Sequence, residues 1–257
     1  MEATIRVLIG LGLTLLLVML RLEAERFGTA EYDEPVRGRR ASILRRLAWY
    51  ILGVGGVVAL LFVHPTAERD LFLQVGDRSG IIIALIIGGL GIAQAVGLAY
   101  LHYRRLRFPD VAAYPGAVAN EVLTAFIDEA VFRGGVLGYF MWALTEANAP
   151  AGTAASLAIL GQAVVYVLAT RLGAPGRDRY MLLLALAIAL VCGWATLLTG
   201  GIGAAFLGHA ITRVAVFLTT GHAGQPPARG TEIEEVEMRR RMPEGWSAVD
   251  QGSAREQ

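Results

Sequence analysis

Gly80-Ile-Ile-Ile-Ala-Leu-Ile-Ile-Gly-Gly-Leu-Gly-Ile-Ala-Gln-Ala-Val-Gly-Leu-Ala-Tyr-Leu-His-Tyr103 is a run of 24 residues without an acid, a lysine or an arginine. Crossing a bilayer as a helix takes about 20 mostly apolar residues. A membrane β-strand would be shorter and would alternate in polarity. The stretch therefore reads as a transmembrane helix. Working outward, similar runs occupy 3–20, 47–64, 152–170, 180–199 and 201–220. The stretch 111–145 is also apolar overall, but it carries Glu121, Asp128, Glu129 and Arg133. Counting it, the sequence predicts an all-α polytopic transmembrane helix bundle of about seven spans, with six and eight as bounds. Composition agrees: 55% of residues are hydrophobic and 18% charged, against about 25% charged in soluble domains.

The connections carry a second pattern. Segment 21–46 holds Arg21, Arg26, Arg37, Arg39, Arg40, Arg45 and Arg46, whereas 65–79 has only Arg69 and Arg78. Arg104-Arg105-Leu-Arg107 follows, then an Arg-free turn at 146–151, then Arg171, Arg177 and Arg179, then an Arg-free turn at Gly200. Rich and poor connections alternate, and the positive-inside rule places the rich ones in the cytoplasm. Seven spans with the N-terminus outside and the C-terminus cytoplasmic fit, in a bacterial-type plasma membrane. The first run has a poor small-residue cleavage site after it, Leu22-Glu-Ala-Glu25, so it reads as a retained helix rather than a signal peptide.

The chain divides into 1–110, about three N-terminal transmembrane helices with an Arg-rich cytoplasmic loop 21–46; 111–220, the charged core; and 221–257, a cytoplasmic soluble tail. In the tail, Thr231-Glu-Ile-Glu234 has the form of a capping box opening a helix, either a short surface helix or one that docks a partner. The single cysteine, Cys192, excludes an intrachain disulfide. One intramembrane histidine is too few for the usual zinc ligand set, so neither a metal nor a cofactor is expected. A net charge of +1 gives no case for nucleic acid as a partner.

An ionisable residue at mid-membrane costs about 2.5–3.5 kcal/mol on insertion scales, so each one asks for a reason. On Asn120-Glu121-Val-Leu-Thr124-Ala-Phe-Ile-Asp128-Glu129-Ala-Val-Phe132-Arg133-Gly134-Gly135, helical spacing puts Glu121, Thr124 and Asp128 on one stripe. Glu129 and Arg133 are four apart in the favourable acid-before-base order, which leaves Asp128 without a local partner. Gly134, Gly135 and Gly138 permit a neighbouring helix to approach closely. On the last span, His209 and Arg213 share a face. Arg213 needs an acid, and the intramembrane acids are those of this stretch, so the last span is expected to touch 121–133. Gln162, Tyr166 and Thr170 recur at every fourth position; they either line the same interior or serve as interhelical glue. Cys192 and Thr196 read as packing. His102 lies beside Arg104, His64 at an outer boundary and His222 in the tail.

Asp128-Glu129-Ala-Val-Phe132-Arg133-Gly134 resembles the first motif of the CPBP family, the CAAX prenyl-processing and bacteriocin-processing or immunity membrane proteins, whose signature is Glu-Glu-x-x-x-Arg. His209-Ala-Ile-Thr-Arg213 stands where that family's last motif, His-x-x-x-Asn/Asp, would fall. The resemblance covers roughly 115–220 and implies an intramembrane endopeptidase of the CAAX-processing type. In it a carboxylate, helped by a middle-helix histidine, activates water, and the late residues hold the oxyanion. Carried onto this chain, the catalytic candidates are Asp128, Glu129, Arg133, His209 and Arg213, with Tyr166 and Thr170 as substrate-binding candidates. Three positions depart from the family pattern. The first acid is Asp128, Thr170 stands where the middle histidine would be, and Arg213 replaces the final Asn.

The resemblance implies a membrane-anchored or prenylated peptide substrate, with membrane lipid and membrane proteins as partners. The alternative is an inactive homologue serving as scaffold, immunity factor or accessory subunit. A transporter would also explain intramembrane acids, but the sequence lacks the duplicated halves that many transporters carry.

Overall fold

The computed structural model describes residues 2–30, 43–103, 106, 108, 109, 114–173, 179–221 and 223. Ten α-helices and one π-helical segment account for their regular structure, and no strand occurs among them. The long helices are α1 (Glu2–Leu22), α3 (Ile43–Val63), α5 (Gly80–Tyr103), α8 (Ala151–Gly173), α9 (Arg179–Thr199) and α10 (Gly203–Thr220). Between α1 and α3 lies the short α2 (Ala24–Phe27), and after α3 the short α4 (Ala67–Asp70). The remaining helix runs without a break from Tyr114 to Glu146: α6 (Tyr114–Asp128), the π-helical segment Glu129–Val136, and α7 (Leu137–Glu146).

Six of these helices are long and apolar enough to cross a membrane. Their outward faces carry exposed large side chains such as Leu16, Ile82, Leu85 and Leu183. In water such a surface would aggregate; against lipid it is the expected one. The chain is a polytopic helical integral membrane protein. The seventh helix, 114–146, is divided by its change of pitch into three shorter pieces and is not among the six; it turns Glu121, Asp128, Glu129 and Arg133 inward.

Close approach is built from small residues. A Cβ placed on Gly91 of α5 would lie 1.9 Å from Thr212 Oγ1 of α10, and one on Gly208 would lie 2.6 Å from Ile87 Cγ2. These two helices thus pack almost backbone to backbone. The expected role of the later glycines holds for two of three. Gly135 faces α1, where a Cβ would meet Thr14 Cγ2 at 2.6 Å. Gly138 admits the end of α4, at the Asp70 carbonyl, whereas Gly134 admits the connection after α4, at Leu73.

Helix α1 lies antiparallel along the seventh helix. The Tyr139 hydroxyl donates to the Val7 carbonyl at 3.0 Å, Gly10 sits under Tyr139, Thr14 meets Gly135, and Arg21 reaches Asp128. The expected loop 21–46 is corrected at both ends. Helix α1 continues through Arg21 to Leu22, and α3 begins at Ile43, so Arg45 and Arg46 are helical. Two of the three Arg-poor connections touch each other: Gln74 Nε2 donates to the Gly200 carbonyl at 2.7 Å. The tail beyond 223, with its capping-box sequence, lies outside the described residues, as do His222 and the side chain of His102.

Candidate functional site

The seventh helix changes pitch at its charges. From Glu129 to Val136 it is π-helical, a form that is rare and concentrated at functional sites. Residues Ile127 to Gly135 are all buried, one after another. An amphipathic helix would expose part of each turn; this segment is enclosed by neighbours on every side. Within it Asp128, Glu129 and Arg133 have no exposed surface, and Glu121, about two turns earlier, is 1% exposed.

Each acid has a cation. Arg21 Nε lies 2.6 Å from Asp128 Oδ1, with a longer contact of 3.5 Å from the same guanidinium to Oδ2. Arg213 Nη1 stands 3.8 Å from Asp128 Oδ2 and its Nε 3.0 Å from Glu121 Oε2. Glu121 Oε1 also accepts from Asn120 Nδ2 at 2.9 Å, and Asn120 Oδ1 accepts from the Tyr50 hydroxyl at 2.5 Å. Glu129 Oε1 is 2.6 Å from His209 Nδ1. Glu129 Oε2 is 3.3 Å from Arg133 Nε, near enough for ionic attraction but not aligned as a hydrogen bond. The Arg133 guanidinium instead lies over the Tyr166 ring, 4.3 Å from its centroid, a cation–π contact that strengthens when water is excluded.

The last span therefore does meet 121–129, as charge pairing requires, through both His209 and Arg213. Asp128 has no partner on its own helix, and its main partner comes from α1. Reading Arg21 as the first residue of a basic loop missed this. The signal was the spacing of the buried positions of α1, Gly10, Thr14, Leu17, Val18 and Arg21, which continues one helical stripe into the arginine.

A cleft opens beside the acids, lined among others by Glu121, Tyr166, Thr170, His209, Thr212 and Arg213. It offers about 70 Å³ to the centres of water-sized molecules, several times the ~10–15 Å³ that one water needs. Asp128 and Glu129 are not on its wall. His209 is, with Nδ1 committed to Glu129, so Nε2 is the ring nitrogen left for a ligand. Tyr166 packs edge-on against Phe132 and His209, with centroids 5.0 and 6.3 Å apart. Thr170 Oγ1 is buried and without a hydrogen-bond partner. Of the α8 trio, Gln162 goes the other way and donates to the Ala189 carbonyl of α9 at 2.7 Å. Cys192 and Thr196 are buried between helices, with the Thr196 hydroxyl on the Cys192 carbonyl at 2.9 Å. Gln94 of α5, which the sequence did not single out, completes one wall of the cleft. Among the described residues no three His, Cys, Asp or Glu side chains are grouped to hold a metal ion.

The sequence model of the type II CAAX prenyl endopeptidase Rce1-like family matches residues 110–215. No curated protein and no solved structure matches the chain. The matched segment holds the paired acids, Arg133, Thr170 and the late histidine, and leaves out α1 with Arg21. The match over residues 110–215 supports membership of the CPBP family of CAAX prenyl endopeptidase-like membrane proteins.

Proposed function

We propose that this protein is an intramembrane endopeptidase of the CAAX-processing type in which His209, oriented by Glu129, activates the water. The observation that carries the reading is the position of His209, with Nδ1 2.6 Å from a fully buried carboxylate and its ring on the wall of a cleft with room for water. A carboxylate on one nitrogen fixes the imidazole tautomer that leaves the other nitrogen free to accept a proton. Asp128, the base that the family resemblance implies, is off that wall and committed to Arg21.

The step runs as follows. With the Nδ1 proton donated to Glu129, Nε2 takes a proton from water, and the water oxygen bonds to the scissile carbonyl carbon. Negative charge develops on the carbonyl oxygen, where the Arg213 guanidinium and the Thr170 hydroxyl supply donors. The C–N bond then breaks, and the proton on Nε2 passes to the leaving amine. A positioned base contributes typically 10²–10⁴-fold, and donors preorganised for the oxyanion supply several kcal/mol more.

The substrate class is a membrane-anchored or prenylated peptide. An apolar groove on the other side of α10, lined by Ile92, Val122, Phe206, Ile211 and Leu218, supports a lipid chain lying beside the site. The Arg-rich ends face the cytoplasm of a bacterial-type cell, which reporter fusions at the two termini test.

Hydrolysis of prenylated and unprenylated membrane peptides by the reconstituted protein tests the activity. His209→Gln should lower kcat by at least 10²-fold, and Asp128→Asn by clearly less. An equal loss in both would return the base to Asp128. A second reading, a non-hydrolytic homologue acting as scaffold, immunity factor or subunit, is favoured by the pairing of every acid and by Thr170 standing in for a histidine. A folded wild-type protein that cleaves none of these peptides would establish it.

A further inference from the structure

We infer that Arg21, from the first transmembrane helix and outside the family-matched segment, is a positioning residue that neutralises Asp128 and so keeps the Arg213 guanidinium in the cleft. The functional consequence rests on the hydrolytic reading above; the geometry does not.

Asp128 is an acid with no exposed surface, and two arginines reach it. Arg21 makes the close contact at 2.6 Å, and Arg213 stands off at 3.8 Å with its Nε turned to Glu121. A carboxylate at this depth cannot be left uncompensated. Without Arg21 the nearest cation is Arg213, and closing on Asp128 would take its guanidinium away from the cleft wall that it shares with His209. The end of α1 is fixed for this task. Trp49 Nε1 donates to the Leu20 carbonyl at 3.0 Å, and a Cβ on Gly173 of α8 would lie 3.0 Å from the Arg21 carbonyl. Both neighbours hold the backbone at the arginine, not merely the helix in general. The pairing spans 107 positions, so the family core alone lacks a residue that its charge arrangement requires.

The test uses the full-length protein in detergent or lipid. Modification of Arg213 by an arginine-directed dicarbonyl reagent is read by peptide mass spectrometry, in parallel with peptide hydrolysis. In Arg21→Met, labelling of Arg213 should fall several-fold, and kcat should fall at least tenfold with KM little changed. Arg21→Lys should restore both, because it returns the positive charge. In Arg21→Met/Asp128→Asn, labelling should return to the wild-type level. Unchanged labelling in folded Arg21→Met, or labelling in the double variant as low as in the single one, overturns the inference. Should Arg21→Met fail to fold, Asp128→Asn alone decides. Labelling of Arg213 should then exceed wild type, and no rise overturns the inference. Labelling does not depend on turnover, so a protein without peptidase activity leaves this test intact while ending the hydrolytic reading.

Discussion

His209 Nδ1 and Glu129 Oε1 lie 2.6 Å apart, joining the last helix to the π-helical turn of the seventh across 80 positions. The contact binds a residue that faces the cleft to one that water does not reach. On the hydrolytic reading proposed above, Glu129 is a positioning group rather than a reacting one. Glu129→Gln keeps an acceptor but removes the charge that holds the tautomer and stabilises an imidazolium. We expect a loss in kcat of about 10²-fold or more, by analogy with other carboxylate–histidine pairs, with KM nearly unchanged. Steady-state kinetics on a cleavable membrane peptide measures the split.

Arg21 and Asp128 are both out of reach of solvent, so removing one partner should cost far more than removing both. Arg21→Met alone is expected to destabilise by about 3–5 kcal/mol, and replacing both partners with apolar residues of similar volume to be near neutral. Denaturant or thermal unfolding in a fixed detergent gives the comparison. A double-variant cost equal to the sum of the two single-variant costs would show that the two side chains are not energetically coupled.

The contact between α5 and α10 brings Gln94 and Thr212 to the wall of the cleft, and it tolerates no side chain at Gly91. A Cβ there would meet Thr212 Oγ1 at 1.9 Å, whereas Gly89 has nothing within 4 Å. Gly91→Ala should destabilise by about 1–3 kcal/mol through overpacking. Gly89→Ala should be neutral or stabilising by up to about 1 kcal/mol, because it lowers the cost of ordering the helix. Unfolding of the two variants side by side checks the difference in sign.

His64 follows α3 at the Arg-poor end and is buried beside Tyr139, with ring centroids 5.9 Å apart. Burial holds its imidazole below the ordinary value of 6.5, with the positive charge of Arg6 acting in the same direction and Asp70 opposing both. The folded state then binds the proton less readily than the unfolded one. The stabilisation is present above pH ~6.5 and is lost as pH falls below that value towards the depressed folded pKa. The melting temperature of wild type should therefore drop more steeply on acidification from pH 7 to 5 than that of His64→Gln. Parallel curves would remove His64 as the cause.

How much of this was legible in the sequence differs from feature to feature. Hydropathy runs located the six apolar spans, and the cost of burying charge required that Arg213 meet the acids of 121–129. Both follow from physics that depends on residue type alone. The pitch change at Glu129 was not legible, because a π-helical turn is stabilised by what packs around it rather than by local propensity. Gly134 announced a close approach, but not that a connection rather than a helix would make it. Gln94 gave no signal, since an amide in an apolar run reads equally well as interhelical glue.

The cation opposite Asp128 separates the two kinds of information most clearly. By itself the sequence determined a polytopic helical bundle whose late spans carry acids that need cations, and it placed His209 and Arg213 opposite them. It could not choose Arg21. An arginine at the last turn of an apolar helix can extend its head to the membrane surface or turn it inward at similar cost, and nothing local distinguishes the two. Only the antiparallel docking of α1 along residues 128–139, fixed by Thr14 against Gly135 and Tyr139 on the Val7 carbonyl, decided that Arg21 faces Asp128.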